Sequence, residues 1–512
     1  MIALETLLER AAVVPDTTAV GDGRDTLTWS RLAAQTCSVR SWLTRSLDPA
    51  DENRAVVLAG NSVRVVVATA ALTSLGVPWV GIDPARDEGT IAAQLEAVNP
   101  TFIVVDSSLP TLPKDFWRRW PDKALLLDVV DFPAFDTRVT HYLAVADADF
   151  PPGTWHTPRF LALGFTSGTT GVPKLFVRRK RTENQRVAYL RDALDFGPSD
   201  SFLITSPLAF ASGHVWVSAA LALGGSVRLG PADSEAALEV MERERLTGAF
   251  FVPPFLEAVL EKATTSHAGA DLSALRFVLT GGRHLSPRAI RQTADRLGDV
   301  LHLYYATTET GINTMAGPAD LAADPYSAGR CMPGVTVRAV DPVTAAALPA
   351  GQVGQLAIES AFALDGYVHR PLDTVRVDGR SHVLTSDYGY VAGDGRVYVT
   401  ARSGGDSDTV AARVDFVRAE GDIKNSPAVR DACVAADPER MGAPERAVIA
   451  AVVLRPDLGP VGRAHALTAV REKLRRYADT ATVLEVTRIP YNNAGKVSVR
   501  ELMAHASTRL AA

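Results

Sequence analysis

The sequence predicts an α/β protein with a large N-terminal domain of two stacked α/β sheet layers plus a small β-barrel-like part, and a smaller C-terminal α/β domain. Three observations carry that expectation. Short, near-continuous apolar runs alternate with helix-periodic segments through the first 300 or so residues, the pattern of parallel strands buried on both faces. From Gly329 to Val399 the period shortens to alternating strands, as in Val335–Val340, Gly354–Ile358 and Arg396–Val399, which suits a distorted barrel or a small antiparallel sheet. The polar, glycine-rich run Ser403-Gly404-Gly405-Asp406-Ser407-Asp408 then interrupts the chain, so a boundary falls near Arg402 and divides residues 1–402 from residues 403–512.

In chain order, Leu4 to Ala12 has the apolar spacing of an amphipathic helix. Thr18-Ala19-Val20 and Thr26 to Trp29 flank the turn Gly21-Asp22-Gly23 and read as a hairpin, after which Ser30 is placed to cap a helix running toward Leu43. Strands are expected at Ala55–Ala59, Pro78–Ile82 and Thr101–Asp106, with helices after Asn61-Ser62 and near Ile91–Ala97. Residues 107–158 are irregular and proline-rich, with one strand at Ala124–Val130. The strand Phe160–Phe165, the helix Glu183–Leu194 and the strand Ser201–Thr205 follow. The alternation then resumes with helix Ser234–Arg245, strand Gly248–Val252, helix Pro254–Ala263, strand Leu275–Thr280, helix Ser286–Leu297 and strand Val300–Tyr305.

The segment with most chemistry is Thr166-Ser167-Gly168-Thr169-Thr170-Gly171-Val172-Pro173-Lys174, directly behind the strand Phe160–Phe165. Glycines let successive N–H groups converge on one anion, hydroxyls add donors, and a lysine contributes a compact positive charge. Its spacing is not that of a Walker loop. The run resembles the phosphate loop of the adenylate-forming superfamily, which includes acyl-CoA synthetases, peptide-synthetase adenylation domains and amide bond synthetases. The resemblance implies that this loop grips the β- and γ-phosphates of ATP while a carboxylic acid becomes an acyl adenylate.

Further motifs are similar to those of the same superfamily, in the same order. Tyr304-Tyr305-Ala306-Thr307-Thr308-Glu309 resembles its Y-G-x-T-E, with Ala306 in place of glycine. By that resemblance Tyr305 stacks on adenine, Thr308 meets the α-phosphate, and Glu309 holds Mg²⁺, a hard cation that wants carboxylate oxygen. The methyl of Ala306 is expected to narrow the acid pocket. Gly281-Gly282-Arg283 resembles the turn that lines adenine, and Thr385-Ser386-Asp387-Tyr388-Gly389 resembles T-G-D-x-G, whose aspartate holds the two ribose hydroxyls. Arg402 matches the arginine after it, implying a ribose contact and a hinge about which the C-terminal domain moves. Ile489 to Val497 resembles the loop whose lysine, here Lys496, bridges the acyl carboxylate and the α-phosphate.

Two departures from the superfamily bear on substrate and acceptor. The stretch Ser206 to Trp216 lacks the acid that amino-acid-activating domains use for an ammonium group, while Phe210, His214 and Trp216 suggest an aromatic wall for an aryl or other apolar acid. After the hinge, Ala411 and Ala412 stand where thiol-using relatives carry a glycine, and Phe416 stands at a proline position. Added methyls in a narrow channel obstruct pantetheine. The expected acceptor is therefore an amine, with the thiol of coenzyme A or a carrier protein as the alternative and a non-catalytic nucleotide-binding protein as a remote one.

Composition sets outer limits. The 512 residues exceed one typical core, and a net charge of -5 with 47% hydrophobic and 22% charged residues describes no nucleic-acid binder. The cluster Arg178-Arg179-Lys180-Arg181 is too short for such a footprint. Cys37, Cys331 and Cys433 show no paired spacing, as expected of thiols in a reducing compartment. The apolar stretches Val65–Val80 and Phe202–Val227 are broken in the manner of a buried helix followed by a buried strand. The acids among the first ten residues do not suit an export signal. The sequence thus leads one to expect a cytoplasmic enzyme with neither membrane nor nucleic-acid partners.

Overall fold

The structure is a computed structural model that describes residues 3–48, 51–106, 125–130, 162–165, 174–178, 183–368, 370–402, 414–437, 446–491 and 497. Chain contacts divide it into two compact units, each assembled from separated stretches of sequence. The first comprises Met1–Phe250, Ala270–Arg276 and Leu364–Pro371; the second comprises Phe251–Gly269, Phe277–Ala363 and Leu372–Ala512.

In the first unit, the parallel strands Trp79–Gly81, Ala55–Leu58, Phe102–Val105 and Leu125–Asp128 lie side by side in that order. Ala55–Leu58 and Phe102–Val105 are buried at every position, which explains why their sequences are continuous apolar runs rather than alternating ones. A second layer places Thr26–Thr28, Thr18–Gly21, Ser226–Leu229, Ser201–Ile204 and Gly248–Phe251 in sequence across the sheet. The early hairpin forms as expected, but its inner strand is parallel to a much later one, with Val20 opposite Val227. A third, small sheet pairs Ala162–Phe165 with Leu175–Arg178, and Leu175–Arg178 in turn with Gly366–Tyr367.

Helix starts follow their local capping chemistry. Thr28, not Ser30, caps the helix Trp29–Ser46: its hydroxyl accepts the Arg31 N–H, and Ser30 lies inside the helix. Ser62 and Asp233 cap Val63–Ser74 and Ser234–Arg243 in the same way. Trp216, Phe202 and Phe250 are fully buried together in this unit.

The second unit opens with the parallel pair Phe277–Gly281 and Leu301–Thr307, followed by the antiparallel strands Gly311–Ala316 and Arg330–Cys331. The region expected to alternate is a five-stranded antiparallel sheet built from Val335–Val340, Gly354–Ser360, Arg380–Val391, Thr374–Val377 and Val397–Arg402. Its centre is the twelve-residue strand Arg380–Val391, which carries Asp387. Near the C-terminus, Val429–Ala436 pairs antiparallel with Ala447–Leu454, which pairs parallel with Thr480–Glu485. The helices Phe416–Lys424 and Pro460–Leu474 share one core with that sheet, in which Ile423, Val470 and Leu474 are buried with Val434, Val448 and Val452. Among the described residues, no helix is long and apolar enough to cross a membrane.

Candidate active site

The second unit gathers most of the nucleotide residues expected from the sequence. Gly281, the last residue of Phe277–Gly281, pairs with Tyr304, and a Cβ at this position would come within 2.5 Å of the Tyr304 ring. Gly282 then turns the chain at φ 91°, a backbone state that glycine adopts without steric cost. These two requirements account for the pair of glycines without reference to a ligand.

Beside them, the strand Leu301–Thr307 changes register against Gly311–Ala316 between Tyr305 and Ala306. Such an irregularity re-aims the side chains that follow it. The connection Thr308-Glu309-Thr310 is held at its base: the Thr307 and Thr310 hydroxyls are 2.7 Å apart, and Thr310 donates to Asn313 Oδ1 at 2.6 Å. Ser360 ties the same turn to the neighbouring sheet by donating to the Thr310 carbonyl at 2.7 Å. Thr308 and Glu309 therefore sit on a braced hairpin rather than a loose loop.

Tyr305 donates its hydroxyl to Asp387 Oδ2 at 2.6 Å, and Arg402 Nε lies 3.5 Å from Asp387 Oδ1. Three motifs far apart in sequence thus meet at one carboxylate. Strand pairing sets the meeting, since Asp387 is directly opposite Arg402. Burial, followed by the Asp387 charge and hydrogen bond, raises the Tyr305 phenol well above its ordinary pKa, so it remains a neutral donor. The Asp387 side chain is only 6% exposed, yet its carboxylate retains acceptor capacity for further hydroxyl groups.

Arg283, the residue after the two glycines, directs its side chain to the C-terminal part of the chain. Its guanidinium forms an ion pair with Glu420 and lies 5.2 Å from the centroid of the Tyr491 ring. Burial acts against the Arg283 charge, and Glu420 together with further acidic neighbours more than offsets it, leaving the pKa well above the usual arginine value. Only the Arg283 backbone stays with the glycine turn.

On the first unit, Asn61 clamps the stretch Ser206–Leu208, donating to the Ser206 carbonyl at 3.1 Å and accepting the Leu208 N–H at 2.7 Å. Phe210 precedes the helix Ala211–Ala222, on which His214 and Trp216 lie. His214 packs edge-on against Trp79 at 4.9 Å and faces a small cavity that Thr69, Leu208 and Val217 also line. Trp216 does not join this wall. It is fully buried against Phe250 at 6.2 Å and Phe202 at 6.3 Å, with the Arg186 guanidinium 5.4 Å from its ring. Trp79 and Asn61 are not legible in the sequence as site residues, because each lies in a segment that shows only strand or cap character.

Lys174 is exposed, with Nζ 5.7 Å from the centroid of the Tyr367 ring. Thr166, Ser167, Gly168, Thr169, Thr170, Gly171 and Lys496, like Ala411 and Ala412, lie outside the described residues.

A family model for AMP-binding enzymes matches residues 7–368. The chain belongs to the AMP-binding enzyme family. It is thereby an adenylate-forming ligase of the ATP-dependent superfamily to which its motifs are similar. This AMP-binding enzyme is 26% identical over 495 residues to 4-coumarate–CoA ligase-like 9 of Arabidopsis thaliana, covering 93% of this chain and 84% of that protein. Among solved structures, the amide bond synthetase McbA of Marinactinospora thermotolerans superposes with a TM-score of 0.79 at 26% identity, covering 98% of both chains. The anthranilate CoA ligase AuaEII shares the fold at a TM-score of 0.81 and 19% identity, over 100% of this chain and 98% of that one.

Proposed function

We propose that this ligase activates an aryl or other apolar carboxylic acid and transfers the acyl group to an amine, leaving an amide. In the first step a carboxylate oxygen attacks the α-phosphorus of ATP; a P–O bond forms, the bond to pyrophosphate breaks, and acyl-AMP results. In the second, the amine nitrogen attacks the acyl carbon, AMP leaves with the C–O electron pair, and the amine proton passes to solvent. The single observation that carries the nucleotide assignment is the convergence of Tyr305 and Arg402 on the buried Asp387 carboxylate. A carboxylate fixed in that manner suits two vicinal ribose hydroxyls.

The remaining roles follow the motif order. Tyr305 would stack on adenine beside the Gly281-Gly282 turn, and Thr308 would meet the α-phosphate from the braced hairpin. Lys174 and the hydroxyl run before it would hold the β- and γ-phosphates. Glu309 would offer Mg²⁺ a hard oxygen ligand. When bound, the ion neutralises phosphate charge. Lys496 would add its ammonium where negative charge builds up at the attacked phosphorus. Residues 403–512 are proposed to rotate about Arg402 between the two steps.

The choice of amine is supported by the alanines at 411 and 412 and by the full-length likeness to an amide bond synthetase. The thiol reading is favoured by a different observation, the CoA ligases among the curated relatives. Hydroxylamine trapping across a panel of aryl and alkyl acids identifies the acid. Repeating the reaction with amines and with CoA decides the acceptor: amide with AMP release and no dependence on CoA supports the amine, whereas a thioester overturns it. Failure of every acid on the panel to support pyrophosphate exchange would remove the adenylation reading itself.

A further inference from the structure

The turn Gly281-Gly282-Arg283 leads into the helix Pro287–Leu297, whose N-cap is Ser286. From this short stretch runs a closed ring of partly buried polar contacts. Ser286 donates to Glu257 Oε1 at 3.0 Å; Glu257 Oε2 accepts from Lys424 Nζ at 2.6 Å; Lys424 lies 3.2 Å from Asp431 Oδ1; and Asp431 Oδ2 accepts the Tyr491 hydroxyl at 2.7 Å. Tyr491 returns to Arg283 through its ring face, and Arg283 pairs with Glu420. The other Glu420 oxygen accepts the Val434 N–H at 3.3 Å, and Arg283 reaches the Ala432 carbonyl at 3.4 Å. Side-chain exposure is 15% at Arg283, 14% at Glu420 and 6% at Lys424, so these charges are held by one another rather than by water.

Tyr491, a member of this ring, pairs antiparallel with Val497, and both pack with Cys433, Ala451, Val453, Val486 and Ile489. Lys496 is the residue immediately before Val497. Together these interactions join the glycine turn of the nucleotide site to the C-terminal helix, sheet and loop base.

We propose that Arg283 is a positioning residue which, through Glu420 and Tyr491, seats the base of the Lys496 loop for the adenylation step. The inference rests on the reading of Lys496 as the adenylating lysine. It assigns Arg283 no contact with the nucleotide. A guanidinium is suited to the task because it can pair with a carboxylate along its edge while its face rests on an aromatic ring. A small displacement of a charge placed against a phosphoryl transition state lowers the rate without weakening ground-state binding.

The full chain is compared with Arg283→Met, Arg283→Lys, Glu420→Gln and the Arg283→Met/Glu420→Gln double variant. Pyrophosphate exchange is read with Mg·ATP and the acid giving the strongest hydroxamate signal, ATP affinity is read by calorimetry, and amide hydrogen exchange is followed across Val429–Ala436 and residues 480–491. In Arg283→Met the exchange rate should fall about tenfold or more, while the ATP dissociation constant stays within about twofold. The double variant should lose no more than the worse single one, and Arg283→Lys should recover part of the rate. Amide exchange should quicken in both segments. Loss of ATP affinity in step with rate, additive losses in the double variant, or an unchanged rate would each overturn the proposal. If Arg283→Met fails to fold, Glu420→Gln is read in its place by the same criteria. If no acid supports pyrophosphate exchange in the wild type, the adenylation reading fails separately, and unchanged amide exchange in the variants would show that Arg283 seats nothing.

Discussion

Asp387 is held by two neighbours: its carboxylate accepts the Tyr305 hydroxyl and lies beside the Arg402 guanidinium, an arrangement proposed above to receive ribose. Asp387→Asn keeps the shape and removes the charge; ATP affinity should fall about tenfold or more in calorimetry with little change in unfolding midpoint, because hydrogen bonds to a charged acceptor are the stronger ones. Two other residues set opposite pH dependences. Burial raises Asp415 from 3.8 to about 6, even though it caps the helix Phe416–Lys424 by accepting the Arg418 N–H at 2.9 Å. The folded state therefore keeps this proton longer than the unfolded state, and the cost of ionisation accumulates as pH rises from about 4 to 6. Asp415→Asn retains the cap, so it should match wild type below that window and exceed it in denaturant midpoint above it. Burial, followed by Lys424, Arg283 and Arg418, lowers His284 from 6.5 to about 3. Its contribution to stability is complete above about pH 6.5 and is lost as pH falls toward about 3. His284→Gln should flatten that acid limb in the same titration.

At the level of elements, the helix Phe416–Lys424 packs so closely that its Gly421 has no room for a side chain: a Cβ there would stand 2.7 Å from the Tyr326 ring and 3.1 Å from Pro287. Gly421→Ala should cost about 1–3 kcal/mol in denaturant unfolding, since neither ring can yield cheaply. Nothing in the sequence marks Gly421 as a contact glycine, because an isolated glycine in a helical pattern has several readings. The alternating helices and strands are legible because continuous apolar runs such as Phe102–Val105 have only one comfortable environment, burial on both faces. The strand Arg380–Val391 carries no comparable signature. Its sequence mixes His382, Thr385, Ser386 and Asp387 with apolar residues, and strand neighbours rather than propensity decide its conformation. Motif resemblance nonetheless singles out Asp387 within it. Trp216 shows the converse: an aromatic residue near an expected pocket suggests a wall, whereas helical phase turns it into the core beside Phe250. Arg283 is legible as part of a glycine turn but not as a partner of Glu420, because a pairing across 137 positions leaves no local trace.

For the molecule as a whole, the proposed division of labour assigns ground-state nucleotide binding to Asp387 and its neighbours and the chemical step to Lys496. Lys496→Ala should therefore abolish hydroxamate formation while leaving ATP binding and the unfolding midpoint close to wild type; undiminished hydroxamate would remove Lys496 from the mechanism. One architectural detail reaches beyond catalysis. The small sheet of the first unit is completed by Gly366–Tyr367, and Arg276 closes on the buried Asp200 at 2.6 Å, so this unit recruits segments that lie after its main body. A ribosome that has released only the stretch ending at Phe250 has not yet delivered either piece. Until it does, the edge of Leu175–Arg178 lacks its second partner, and unpaired edges invite association between nascent chains. Expression should accordingly depend on translation tempo and chaperone supply more than the stability of the finished enzyme suggests.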